Sequence, residues 1–184
     1  MLIDIAEQFC TERLRIRVPL PGDGKAVFGA IQASVRELKL WLPFAQEEQS
    51  EEKVELNLRK ARAQFLIRED MRLLLFLKES GQFIGSSGLH NPDWKVPKFE
   101  IGYWIDTRYS GKGYMTEAVQ GIADFAFREL GARRVEIRCD TLNLKSKAIP
   151  ERLGFALEGT LRNEDVSVDG GRLRDTHIFA KVRQ

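Results

Sequence analysis

Two short stretches and a few scattered side chains carry residue types that could do chemistry. The first stretch is RYSGKGYMTEAV, residues 108–119, where Gly111 and Gly113 bracket a lysine just ahead of a helix-like pattern. A helix N-terminus leaves its first N–H groups unpaired and carries a partial positive charge, and glycines before it let an anion approach the backbone. Gly111 and Gly113 are thus placed to let phosphate approach, with Arg108 and Lys112 adding charge. A merely basic turn is the other reading, since Gly22-Asp23-Gly24 repeats the G-x-G spacing. A P-loop is excluded, because it needs glycine at Asp106 and Ser or Thr at Gly113. A dinucleotide fingerprint needs a third glycine where Thr116 stands.

The second stretch, about 30 residues on, is DTLNLKSKAIPERLGFALEG. Asn143 stands at an expected helix start, where it can act as an N-cap, and Ser146 lies one turn in. Pro150 has no N–H for the carbonyl four residues earlier, that of Ser146. Three acids compete as candidate bases: Glu100, ahead of the glycine stretch, then Asp165 and, beside it, Glu164. Strand neighbours face opposite sides, so only one of the latter two can enter a cleft. His90 is a base by type, but Asn91 and Pro92 place it in a loop, where a lone histidine is ordinary polar surface. Cys10, Cys139, His90 and His177 have no zinc spacing, so no metal is expected, and two cysteines make no disulfide framework. A reducing, cytoplasmic setting follows.

The elements that must position these residues fit one domain over residues 1–184. The composition, 43% hydrophobic and 30% charged, is that of a globular chain with a core. With 29 basic and 27 acidic residues, the net charge of +2 gives no footprint for nucleic acid. Arg13, Arg15 and Arg17, like the arginines at 133, 134 and 138, read as solvated strand faces. The longest apolar run, residues 73–77, is far short of the roughly 20 needed to span a bilayer, and the N-terminus carries acids where a signal peptide has lysines. Period-2 alternation marks a strand at 14–18. Helices follow at 23–40 and, capped by Ser50, to about 67. Strands at 72–78 and 83–89 are joined by a hairpin, and a third spans 99–105. A helix with an apolar stripe runs from Met115 to Leu130, closed by Gly131. A strand at 135–139, a helix at 143–153 and two final strands complete the chain. The count is seven strands and about four helices: an α+β, mixed α/β fold with a central, mostly antiparallel sheet.

The glycine stretch at a strand-to-helix junction, followed by Asn143, Ser146 and a Leu153-Gly154-Phe155 stop, resembles the GNAT N-acetyltransferase superfamily, over about residues 13–182. Its [RQ]-x-x-G-x-[GA] motif reads Arg108-Tyr-Ser-Gly111-Lys-Gly113 here. EIGYWI before the loop, WLPF at 41–44 and EGTLRNED at 158–165 are similar to the branch that acetylates N-terminal amines of ribosomal proteins. The resemblance implies acetyl-CoA as co-substrate, its pyrophosphate on the amides of residues 111–116. It implies the pantetheine arm along the backbone of Tyr103, Trp104 and Ile105, where one N–H polarises the acetyl carbonyl. It further implies Asn143 on the pantetheine amide, Ser146 as proton donor to the thiolate, and Glu100 or Asp165 as general base. Trp41, Pro43 and Phe44 would form one wall of the acceptor site. Core packing is the alternative for the Tyr103 and Trp104 side chains, as a staple between helices is for the residues at 41–44. Neither cysteine lies beside these segments, so direct transfer is expected. The acceptor is a protein N-terminus or a small amine of polyamine or aminoglycoside type. The alternative class is a non-catalytic acyl-CoA-binding module. A homodimer is among the expectations; membrane and nucleic acid are not.

Overall fold

The structure, a computed structural model, describes residues 4–183. Its strands are β1 (Gln8–Cys10), β2 (Leu14–Arg17), β3 (Met71–Leu77), β4 (Phe83–Asp93), β5 (Lys98–Ile105), β6 (Arg134–Asp140), β7 (Ala156–Val166) and β8 (Leu173–Val182). The helices are α1 (Gly24–Leu38), α2 (Glu51–Ile67), α3 (Tyr114–Arg128) and α4 (Leu144–Arg152). One sheet holds all eight strands in the order β1-β2-β3-β4-β5-β6-β8-β7. Every neighbouring pair is antiparallel except β5 and β6. The α+β expectation holds with one strand more than the seven expected. That strand, β1, has three residues, too few for alternation to register.

The two faces of the sheet carry different layers. Ala118, Val119, Ile122, Ala123 and Ala126 put the apolar stripe of α3 against Ile101, Leu73, Leu75 and Leu89, all at most 3% exposed. On the other face Val27 and Ile31 of α1 and Val54 and Leu58 of α2 cover Leu74, Phe76 and Phe83. Ser50 caps α2 as expected, its side chain accepting from the Lys53 N–H at 3.2 Å. Truncating a fully buried stripe residue such as Ile122 to alanine costs about 2–5 kcal/mol.

Two strand rows cross β3, β4 and β5 on the α1/α2 face, and a third joins β4 and β5. Arg72 pairs with Gly88 and Gly88 with Gly102; Leu74 pairs with Ser86 and Ser86 with Trp104; His90 pairs with Glu100. His90 is therefore a strand residue, not the loop residue expected. Asn91 adopts φ +49° and the register slips between His90 and Asp93, so the Asn-Pro pair makes a bulge and β4 continues through it.

The sheet parts at its middle. β5 and β6 share only Lys98↔Arg134, Phe99↔Val135 and Glu100↔Glu136, after which they separate, β5 staying paired with β4 and β6 with β8. On that side the β5 edge has no strand partner among the described residues from Ile101 to Ile105.

Candidate active site

The glycine stretch lies beyond the parted end of β5. Asp106, fully buried, ends the strand and accepts from the Arg108 N–H at 3.0 Å. It also grips the guanidinium, Arg108 Nη2 lying 2.6 Å from Asp106 Oδ2. Gly111 and Gly113 have φ of +77° and +79°, left-handed values that explain glycine at both positions. The first α-helical bond of α3 runs from the Glu117 N–H to the Gly113 carbonyl at 3.0 Å. No N–H from Gly111 to Thr116 donates to a protein acceptor among the described residues. The helix N-terminus and its lead-in thus leave six successive amides without a protein acceptor among the described residues.

Arg13 clamps this loop from the β1–β2 turn. Its Nε meets Glu117 Oε2 at 2.6 Å, its Nη1 donates to the Lys112 carbonyl at 3.1 Å, and its guanidinium lies 4.5 Å over the Tyr114 ring. Burial alone would raise the Glu117 carboxyl, but the Thr11 hydroxyl and the Arg13 N–H and guanidinium hold it below the usual range.

On the far side of the parted strands, α4 presents Asn143 and Ser146. Asn143 is the N-cap, its oxygen accepting from the Ser146 N–H at 3.1 Å. Tyr103 reaches from β5 to α4: its phenol donates to the Ser146 carbonyl at 2.8 Å and accepts from Ser146 Oγ at 3.2 Å. That carbonyl is the one Pro150 cannot serve, so the break in the helix is filled by a tyrosine. Burial pushes the Tyr103 phenol above its usual range. Burial, with Asp140 beside it, also pushes the Cys139 thiol up to about 11, leaving it a poor nucleophile.

On the α1/α2 face a cavity of about 580 Å³ opens against β3–β5, walled by Leu42, Phe44, Asn57, Arg72, His90 and residues 102–104. Phe44 and Trp104 are in contact at 6.2 Å between centroids, and Trp104 meets Phe83 edge-on at 5.8 Å. The Trp104 side chain is thus packing, whereas Tyr103 makes the polar link. Trp41 and Pro43 do not line the cavity; Pro43 starts the short 3-10 turn that aims Phe44. Glu100 stands at the last shared rung of β5 and β6, its Oε2 accepting from Asn91 Nδ2 at 3.0 Å. Asp165 lies on the edge strand β7, paired with Arg174 at 2.7 Å and outside the cavity wall. Its neighbour Glu164 pairs with Arg138 of β6.

The model of the acetyltransferase (GNAT) domain matches residues 13–156. The chain belongs to the GNAT acetyltransferase family. It is 35% identical over 153 residues, 83% of this chain and 82% of the relative, to the Bacillus subtilis (strain 168) protein named "Putative ribosomal N-acetyltransferase YdaF". It is 31% identical over 83 residues, 45% of each chain, to the ribosomal-protein-serine acetyltransferase of Escherichia coli (strain K12). Among solved structures, RimL, a ribosomal L7/L12 alpha-N-protein acetyltransferase in complex with coenzyme A, superposes with a TM-score of 0.86 at 21% identity, over 94% of this chain and 95% of that one.

Within this GNAT domain the structure gathers Tyr103, Ile105, Asn143 and Ser146 around the parted strands, with the glycine loop below. Reading the sequence missed the Asp70–His90 pair, whose Oδ2 and Nδ1 lie 2.7 Å apart on the cavity side of β3 and β4. The only signal was the strand alternation of β4, and the Asn-Pro bulge hid it.

Proposed function

We propose that residues 1–184 form one catalytic domain that transfers an acetyl group from acetyl-CoA directly to the N-terminal amine of a protein, with ribosomal proteins as the substrate class and the cytoplasm as the setting. The observation that carries this reading is the parting of β5 from β6 after three rungs, with six unpaired amides at one end and an apolar-walled cavity on one face. Bound acetyl-CoA would supply an activated thioester. The amides of residues 111–116 would hold its pyrophosphate, helped by Lys112 and the outer edge of Arg108. The unpaired β5 edge at Tyr103, Trp104 and Ile105 would bind the pantetheine arm, and Asn143, whose oxygen is used in capping, has its amide nitrogen for the same arm. Ser146 is the nearby hydroxyl that can give a proton to the sulfur, oriented through Tyr103.

The ribosomal-protein class rests on the names of the relatives. The charge of the cavity wall supports a peptide amine over a polycation: Lys53, Lys60 and Arg72 outnumber Glu47, so a polyamine or aminoglycoside would meet repulsion. Phe44 supplies an apolar surface for the first side chain of a peptide. Purified protein with acetyl-CoA and a panel of peptides, polyamines and aminoglycosides tests the reading through release of free thiol. Peptide-dependent release is the expected result. Release that never exceeds the rate without acceptor, while acetyl-CoA still binds, leaves only an acyl-CoA-binding module.

A further inference from the structure

We propose that His90 is the general base that takes the proton from the acceptor ammonium, with Asp70 as its positioning residue; this rests on the acetyltransferase reading above. Asp70 directly precedes β3, and its Oδ2 lies 2.7 Å from His90 Nδ1. An ionised carboxylate only accepts hydrogen bonds, so in the neutral ring Nδ1 carries the proton and Nε2 keeps its lone pair. The ring does not point at its row neighbour Glu100 alone but lies over the adjacent row, where Gly88 and Gly102 have no side chains. A Cβ on Gly88 would stand 3.0 Å from His90 Cε1, and one on Gly102 would stand 3.4 Å from Cδ2 and 3.6 Å from Nε2. Gly88 therefore makes room for the imidazole, while at Gly102 a Cβ would only touch it, which sets Nε2 over Gly102, next to Tyr103 at the start of the proposed acetyl site. The same ring forms part of the acceptor cavity wall, and about a quarter of its side chain is exposed. A lone pair is thereby presented to an amine that enters the cavity, while the Glu100 carboxylate is engaged by Asn91 at 3.0 Å.

The charges facing the imidazole come from three sides. They are Asp70 and Glu100, Arg72 on β3, and Lys53, Lys60 and Glu47 in the cavity wall. In the step itself the ammonium gives one proton to Nε2 and its freed lone pair forms the C–N bond. The C–S bond breaks with its electron pair leaving on sulfur. Ser146 gives its proton to that sulfur and takes up the second amine proton, and His90 releases its proton to solvent.

The test compares wild type, His90→Gln, Asp70→Asn and Glu100→Gln by acceptor kcat/KM against pH, by KM for acetyl-CoA, and by imidazole ¹⁵N shifts of His90. Expected are a fall of about 10²-fold or more in kcat/KM for His90→Gln at neutral pH, recovery as pH rises and the amine loses its proton unaided, and an unchanged KM for acetyl-CoA. Asp70→Asn should show a smaller loss, a displaced acidic limb and a shift of the ring proton from Nδ1 to Nε2. Transfer by His90→Gln at the wild-type rate with the wild-type acidic limb, or loss of that limb in Glu100→Gln alone, overturns the proposal and leaves the acetyltransferase reading standing. A neutral wild-type ring protonated on Nε2 overturns it without any reference to activity.

Discussion

The glycine loop and the cavity on the α1/α2 face are built in opposite ways. The loop is a backbone site: two left-handed glycines and a helix start leave six amides without a protein acceptor among the described residues, and the side chains around it, Arg13 and Glu117 above all, hold the chain in that shape. The cavity is a side-chain site: Phe44 comes from the turn after α1, Asn57 from α2, Arg72 from β3 and His90 from β4, brought together only when the strands pair. A backbone site accepts any side chains that keep its dihedrals, so it suits a donor common to many reactions. A side-chain site changes with each substitution, so it suits the choice of acceptor.

Substitutions should separate the two regions, and among those that change binding or stability the largest effect is expected in the loop. Gly113→Val forces a β-branched residue to φ +79°, a strain of about 1–2 kcal/mol, on a position where the ligand must also come close. Acetyl-CoA affinity measured by titration calorimetry should fall about tenfold or more, with no effect on acceptor preference. Gly111→Ala sharpens the point, because its Cβ meets no protein atom within 4 Å. Any loss beyond that of the strain measured by denaturation reports ligand approach.

Next comes the link between the regions. Tyr103→Phe leaves the Ser146 carbonyl without a donor in a helix that Pro150 has already interrupted, a cost of about 1–3 kcal/mol in urea unfolding. Phe44→Ala should raise the acceptor KM several-fold and leave the KM for acetyl-CoA unchanged; a change in both would mean that the cavity and the loop are not separable. Acid should act on the clamp. The Glu117 carboxyl is depressed in the folded protein, so its contribution is present above the ordinary carboxylate pKa, about 4.3, and is lost as pH falls through the depressed value. Acetyl-CoA affinity should weaken in that window, and in Glu117→Gln at neutral pH. The smallest effect is expected for Asp165→Asn, less than twofold in kcat, since that carboxylate is more than half exposed and paired with Arg174.

The same contrast decides what could be read from the sequence. The glycine loop, the Ser50 and Asn143 caps and the α3 stripe are local patterns, each set within a few residues. The consequence of Pro150 was half legible: its missing N–H is a property of one residue, but that Tyr103, 43 residues upstream in the next-but-one strand, supplies the bond depends on how α4 lies against the sheet. His90 was misplaced because a bulge and a loop look alike in sequence, and its partner Asp70 is 20 residues away. Trp41 and Phe44 are three residues apart, yet only Phe44 faces the cavity, which turns on one short 3-10 turn. The arginines read as solvated strand faces are largely paired: Arg13 with Glu117, Arg17 with Asp23, Arg134 with Glu136 and Glu158, Arg138 with Glu164.

The three-rung seam between β5 and β6 has a consequence for heat resistance. Five strands lie on one side of it and three on the other, and past Glu100 little of the ladder ties them. A molecule lying along both free edges would act as a cross-brace between the two halves and bind only the folded chain. Its contribution grows with the logarithm of its concentration, by about 2.7 kcal/mol at a hundred times Kd. The melting temperature would then serve as a gauge of how much acetyl donor surrounds the protein.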